Sequence, residues 1–193
     1  MKYEEYMLIV LGEEAQEIIE SVNEILQSGL HEIRRDSRNE TNKHHLLVKY
    51  HELKAVMGKL FDDEILNDLD VDSKHSLRAF QRFRTDMEIE RDYKVLPVAF
   101  LIIDRAVTIA HKASESLRFG IHAFQSRDPE YTNAVAIVSS YHQLCMIFDY
   151  AIYNGLLEEL PEDEVRDVID KKLAGDKMDI EKSVMIGTLT INS

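Results

Sequence analysis

Apolar residues recur at three- and four-residue spacing along most of this chain, the mark of helices with one buried face. Over 2–28 the stripe is Leu8, Leu11, Ala15, Ile18, Val22, Ile25 and Leu26, and Gly29 is placed to stop the helix. The stretch 29–41 is polar and rich in Arg, Asp, Ser and Asn, which reads as a loop. Further helices are expected over 42–61, over 72–88 after the turn-like "NDLDVD", and over 96–119 up to Gly120. The segment "HAFQSRDPEYTN" reads as a second loop, followed by helices over 133–153 and, after Pro161, over 162–173. The tail "MIGTLTINS" is β-prone, open to disorder or to extended packing. No other strand is predicted, so the expected fold class is all-α.

The pattern repeats. At a shift of 91 residues, "TNKHHLLVKYHEL" (41–53) lies on "TNAVAIVSSYHQL" (132–144), and five of thirteen positions agree: Thr, Asn, Tyr, His and Leu. Chance would give about one at ordinary residue frequencies. The same ungapped shift lays "EEAQEIIESVNEILQSG" (13–29) on "DRAVTIAHKASESLRFG" (104–120), matching Ala, Ile, Glu, Leu and Gly, and lays His31 on His122. Helical periodicity repeats apolar positions but does not reproduce Thr-Asn or Tyr-His, so the pattern indicates an internal duplication. The expected organisation is a first repeat over 1–91, a second over 92–183 and a tail over 184–193, packed as two related helical halves about a pseudo-twofold axis.

Composition narrows the function classes. The chain has 193 residues, enough for one fair-sized core or two small ones. Its single cysteine, Cys145, excludes an internal disulfide framework and suits a reducing cytosol, and in "LCMIF" it reads as a core residue. No basic leader or apolar run of membrane-spanning length stands out, so a cytoplasmic protein without a membrane partner is expected. A net charge of −13 argues against nucleic-acid binding through phosphate neutralisation. Small nucleotides remain open, because acidic clusters hold them through divalent metal. Two local basic groups, Arg34/Arg35/Arg38 and Arg78/Arg82/Arg84, read as solvated surface.

The candidate chemistry lies in carboxylates that only one repeat carries. The first repeat has Glu13, Glu14, Glu17 and Glu52, where the second has Asp104, Arg105, Thr108 and Gln143. Glu14 and Glu17 are three apart and share a helix face. The asymmetry suggests one acidic site and one copy that lost it. "DLDVDSKHSLR" opens like a calcium loop, but it has Ser73 where the glycine belongs and Ala79 where the closing Glu belongs. His44, His45 and His51 lack zinc-site spacing, and Tyr50-His51 with Tyr141-His142 reads as shared packing.

These residues resemble the all-α nucleoside triphosphate pyrophosphohydrolases, the MazG-like superfamily that includes the dimeric dUTPases. "EEAQE" (13–17) matches the family's E-E-x-x-E. "HKASESLRFG" (111–120) is similar to a segment that closes the first helix in small members, and the "TN…EL" lead-in is similar too. On the second motif, E-x-x-D, this chain reads "KYHE" (49–52). Glu52 keeps a carboxylate and Lys49 replaces one. The resemblance implies a hydrolase that turns a nucleoside triphosphate into a monophosphate plus pyrophosphate with Mg²⁺, or Mn²⁺, as cofactor. It implies Glu14, Glu17 and Glu52 as metal ligands and Glu13 as the residue that orients or deprotonates water. Lys49, Asn42 and Arg118 are then the substrate-binding candidates, and a homodimer is compatible. Lys49 leaves a second outcome open: a catalytically silent relative that binds a nucleotide or a protein partner.

Overall fold

The computed structural model describes residues 1–34, 40–67, 95–125 and 128–190. These form α1 (Tyr3–Ser28), α2 (Asn42–Asp62), α3 (Val95–Phe119), a hairpin of β1 (Phe124–Gln125) with β2 (Asp128–Thr132), α4 (Asn133–Tyr153) and α5 (Glu162–Met185). The fold class is all-α, with five helices among the described residues. The helix expected over 72–88, with Arg78, Arg82 and Arg84, lies outside the described residues, as do Arg35, Arg38 and the rejected calcium loop.

The stripe read on α1 is the one that packs. Leu8, Leu11, Ala15, Ile18, Val22 and Ile25 are all buried. α1 lies between α2 and α3, α4 packs on α3, and α5 rests on α2. α1 and α3 run antiparallel. A Cβ on Gly12 would sit 3.9 Å from Ala113, while Val22 and Ile25 line a small apolar cavity with Val98, Ala99 and Ile102. Tyr50 of α2 stacks on Phe148 of α4, with ring centroids 3.9 Å apart and planes at 8°. α4 is long and apolar enough to cross a membrane, and half of that apolar stretch is buried within the bundle.

The connections between helices close in the same way at both places related by the 91-residue shift. Thr41 accepts a bond from His44 N–H, and Thr132 from Val135 N–H, so each caps its helix. Asn42 Nδ2 donates to the Gly29 carbonyl at 2.7 Å, and Asn133 Nδ2 to the Gly120 carbonyl at 3.1 Å. Gly29 and Gly120 share φ of 104° and 92°, a region that favours glycine. The backbone bridge Ile33–Thr41 recurs as the pairing of Phe124 with Thr132. Past the second helix, Ile65 N–H bonds the Leu60 carbonyl and Leu156 N–H bonds the Ala151 carbonyl.

Two expectations need correction. The segment read as a loop before α4 contains the β1–β2 hairpin, because the chain doubles back to deliver Thr132 to its capping position. The helix expected over 162–173 runs on to Met185. It buries no residue, and i,i+4 ion pairs such as Lys171–Asp167 and Lys172–Asp176 sustain it past Gly175. The described part of the tail, up to 190, takes the packed alternative: Leu189 is buried, and Thr190 N–H bonds the Met1 carbonyl at 2.9 Å.

Both Asn42 and Asn133 are buried, and each ties down the carbonyl that ends the preceding helix. Replacing either by Ala leaves a polar group unsatisfied, so each variant is expected to lose about 1–3 kcal/mol in equilibrium urea unfolding. Losses below about 0.5 kcal/mol in both would contradict this capping role.

Candidate metal centre

α1 presents Glu14 and Glu17 on one face, and α2 presents Lys49 and Glu52 opposite them, each pair at i,i+3 spacing. One carboxylate oxygen from each of Glu14, Glu17 and Glu52 lies within 4.8 Å of the others. The helix pair brings these acids together because its apolar seam, with Leu11, Ile18, Leu53 and Val56 fully buried, sets the rotation of both helices.

Cationic side chains already touch all three acids. Lys49 Nζ lies 2.5 Å from Glu17 Oε2 and 2.7 Å from Glu52 Oε2. Lys172, from α5, lies 2.5 Å from Glu14 Oε1 and 3.1 Å from Asp176 Oδ1. Glu14 is only 4% exposed, and its Oε2 has no hydrogen-bond partner. The second oxygen of Asp176 is also buried without one.

The electrostatics follow from this geometry. Burial pushes the Glu14 carboxyl up from its ordinary value; Lys172 pulls it down and the neighbouring Glu17 and Glu52 add to the rise. For Lys49, burial opposes the charge, but the bonds to Glu17 and Glu52 win and its pKa is raised. Lys172 is raised in the same way, by Glu14 and Asp176 against the effect of burial. Beside the acids, a cleft of about 250 Å³ is lined by Glu17, Glu20, Glu24, Arg34, His45 and Lys49. Burial, then the Arg34 charge, lowers the pKa of His45.

The remaining expected site residues lie apart from this trio. Glu13 is exposed on the wall of a groove between α1 and α3, which it shares with Glu17, Gln16, Ala110 and Leu117. Arg118 is exposed in the last turn of α3. Asn42 gives its amide donors to Gly29 and to Ser28 Oγ, so none is left for a ligand. At the 91-residue shift, Arg105 and Gln143 correspond to Glu14 and Glu52. There a 2.6 Å bond from Arg105 Nη1 to Gln143 Oε1 takes the place of paired acids, and Arg105 also pairs with Asp104.

Other candidates resolve into structural contacts. His44 faces Glu40 at 3.2 Å and Glu164 at 2.6 Å, which ties α2 to the start of α5. His51 tilts against Tyr50 as His142 does against Tyr141. Cys145 is partly buried beside Tyr50 and Tyr141, and burial raises its pKa.

Lys172 and Asp176 were not anticipated. They lie on a strongly charged helix, 158 and 162 positions along the chain from Glu14, and only their i,i+4 spacing points to a pair.

Glu14 supplies a pH test. Its folded pKa exceeds its unfolded one, so the stability it contributes is present below the ordinary carboxylate range and lost as pH rises through the folded value. The stability of Glu14→Gln relative to wild type is therefore expected to climb across a pH window that starts at the ordinary carboxylate value and extends above it. Added Mg²⁺ should shrink that difference. Urea unfolding across this window measures it, and a difference that does not vary with pH would contradict the burial argument.

No family model matches this chain, and neither curated proteins nor solved structures yield a match.

Proposed function

We propose that this chain is a Mg²⁺-dependent nucleoside triphosphate pyrophosphohydrolase of MazG-like type. Its two related halves, 1–91 and 92–183, pack about a pseudo-twofold axis, and the first half alone carries the metal-binding acids. The hydrogen bonds that recur at the 91-residue shift support the duplication. The observation that carries the function is the convergence of Glu14, Glu17 and Glu52 from two helices, with one oxygen of the buried Glu14 left without a partner.

The residues fit such an ion. All the donors are carboxylate oxygens, the hard ligands that Mg²⁺ takes. Ligands about 2.1 Å from a shared Mg²⁺ lie at most about 4.2 Å apart, so a 4.8 Å spread closes with a small side-chain movement. Bound Mg²⁺ would supply charge to the phosphates and lower the pKa of the attacking water. Glu14, Glu17 and Glu52 would hold the ion between α1 and α2. Glu13, outside the trio, would take the water's proton as general base. Lys49, freed from Glu17 and Glu52, would meet a phosphate as a point charge.

One observation favours a second reading. The Lys49 ammonium sits between Glu17 and Glu52, where a metal ion would otherwise bind. If it stays there, the centre is a silenced hydrolase site and the chain binds a nucleotide or protein partner without turnover.

Pyrophosphate release from nucleoside triphosphates, dUTP and dCTP included, with Mg²⁺ or Mn²⁺ separates the two. The hydrolase predicts activity in wild type and a loss of at least about a hundredfold in Glu17→Ala, since a metal ligand serves several kcal/mol of transition-state stabilisation. No release from wild type, with release gained in Lys49→Glu, would establish the silenced site. No release from any variant would overturn the hydrolase.

A further inference from the structure

α5 buries none of its residues. Val165 and Ile180 rest partly on the core, about two turns on either side of Lys172. Its start is tied down by the bond between His44 Nε2 and Glu164. Beyond its end, Leu189 is buried and Met1 and Thr190 exchange backbone contact. Between those anchors, the contact that enters the acidic centre is Lys172, whose ammonium bonds Glu14 and Asp176.

That ammonium has the charge and the oxygen partners of a bound cation. It lies 2.5 Å from an oxygen of the most buried acid of the centre. A divalent ion held by Glu14 would have to share that carboxylate with a like charge a few ångströms away in a partly desolvated space, which is strongly unfavourable. The two cations therefore exclude each other. The apolar residues of α5, Leu173 beside Lys172 among them, are at most half-buried, so its middle is held less firmly than the core helices and can move while both ends remain attached.

We propose that Lys172 is a tethered competitor for the metal: a divalent cation entering at Glu14, Glu17 and Glu52 expels the Lys172 ammonium and loosens the middle of α5. This rests on the metal-site reading above and adds its regulation. α5 holds the centre closed in the absence of the ion, and ion binding is reported on the outer surface of the protein as a change in that helix. Asp176 loses its lysine at the same moment and becomes a free carboxylate at the rim.

The test uses the full chain and Mn²⁺ as probe, with free Mn²⁺ measured by electron paramagnetic resonance. Lys172→Met is expected to bind Mn²⁺ at least about tenfold more tightly than wild type. Lys171→Met removes the same charge from the neighbouring exposed position, where Lys171 pairs with Asp167, and should leave affinity unchanged. In wild type, Mn²⁺ should speed amide hydrogen exchange over 168–180, a readout that holds even if Lys172→Met folds poorly. Equal Mn²⁺ affinity in wild type and Lys172→Met, abolished in Glu17→Gln, would overturn the competitor and leave the metal site standing. Slower exchange over 168–180 on adding Mn²⁺ would also overturn it. No Mn²⁺ binding by any variant would overturn the competitor and the metal-site reading together.

Discussion

A buried carboxylate demands a cation, and Glu14 sets that demand here. Its side chain is almost wholly withdrawn from water on the inner face of α1. Left unpaired, such a charge would cost several kcal/mol. The neighbouring acids, Glu17 and Glu52, sharpen the problem because they make the potential at the same point more negative. The solution is two lysines from two directions, Lys49 within the α1–α2 hairpin and Lys172 from α5. α5 buries none of its apolar residues fully, so the inserted ammonium joins Val165, Ile180 and the His44–Glu164 bond in seating it on the bundle.

The segments related by the 91-residue shift share their turns but not their polar chemistry. Capping threonines, the asparagines that close the connections and the positive-φ glycines recur at the same shift, since they determine how the chain turns. The residues of the acidic centre do not recur. Where Glu14, Glu17 and Glu52 gather and need cations, the positions 91 residues on pair a neutral amide with an arginine, Gln143 with Arg105. An Arg–Gln bond closes that position internally, whereas the acid–lysine arrangement leaves a carboxylate oxygen of Glu14 unsatisfied. Unfinished polar bonding is what distinguishes a site from a strut.

Much of this was legible in the chain. The apolar stripe of α1 and the stop at Gly29 follow from periodicity and glycine's freedom at positive φ. The i,i+3 spacing placed Glu14 with Glu17 and Lys49 with Glu52 before any coordinates. Three features were not legible, each for a physical reason. α5 carries charge on every face, so periodicity shows neither its length nor its contacts, and Lys172 looked like any solvated lysine. Asn42 stood in a ligand-like position, but its duty is set by the Gly29 carbonyl, which only the folded turn brings near. Glu13 and Glu14 are adjacent and chemically identical, yet helix rotation buries one and exposes the other.

The central claim is that the meeting point of Glu14, Glu17 and Glu52 is a cation site that lysines fill when no metal ion is there. Anomalous diffraction at the manganese edge, from crystals soaked in MnCl₂, tests it most directly. The account predicts a single strong peak among these three carboxylates, with the Lys172 ammonium withdrawn from Glu14. Crystals with manganese bound elsewhere, no peak at this point and both lysines still seated on the acids would contradict it.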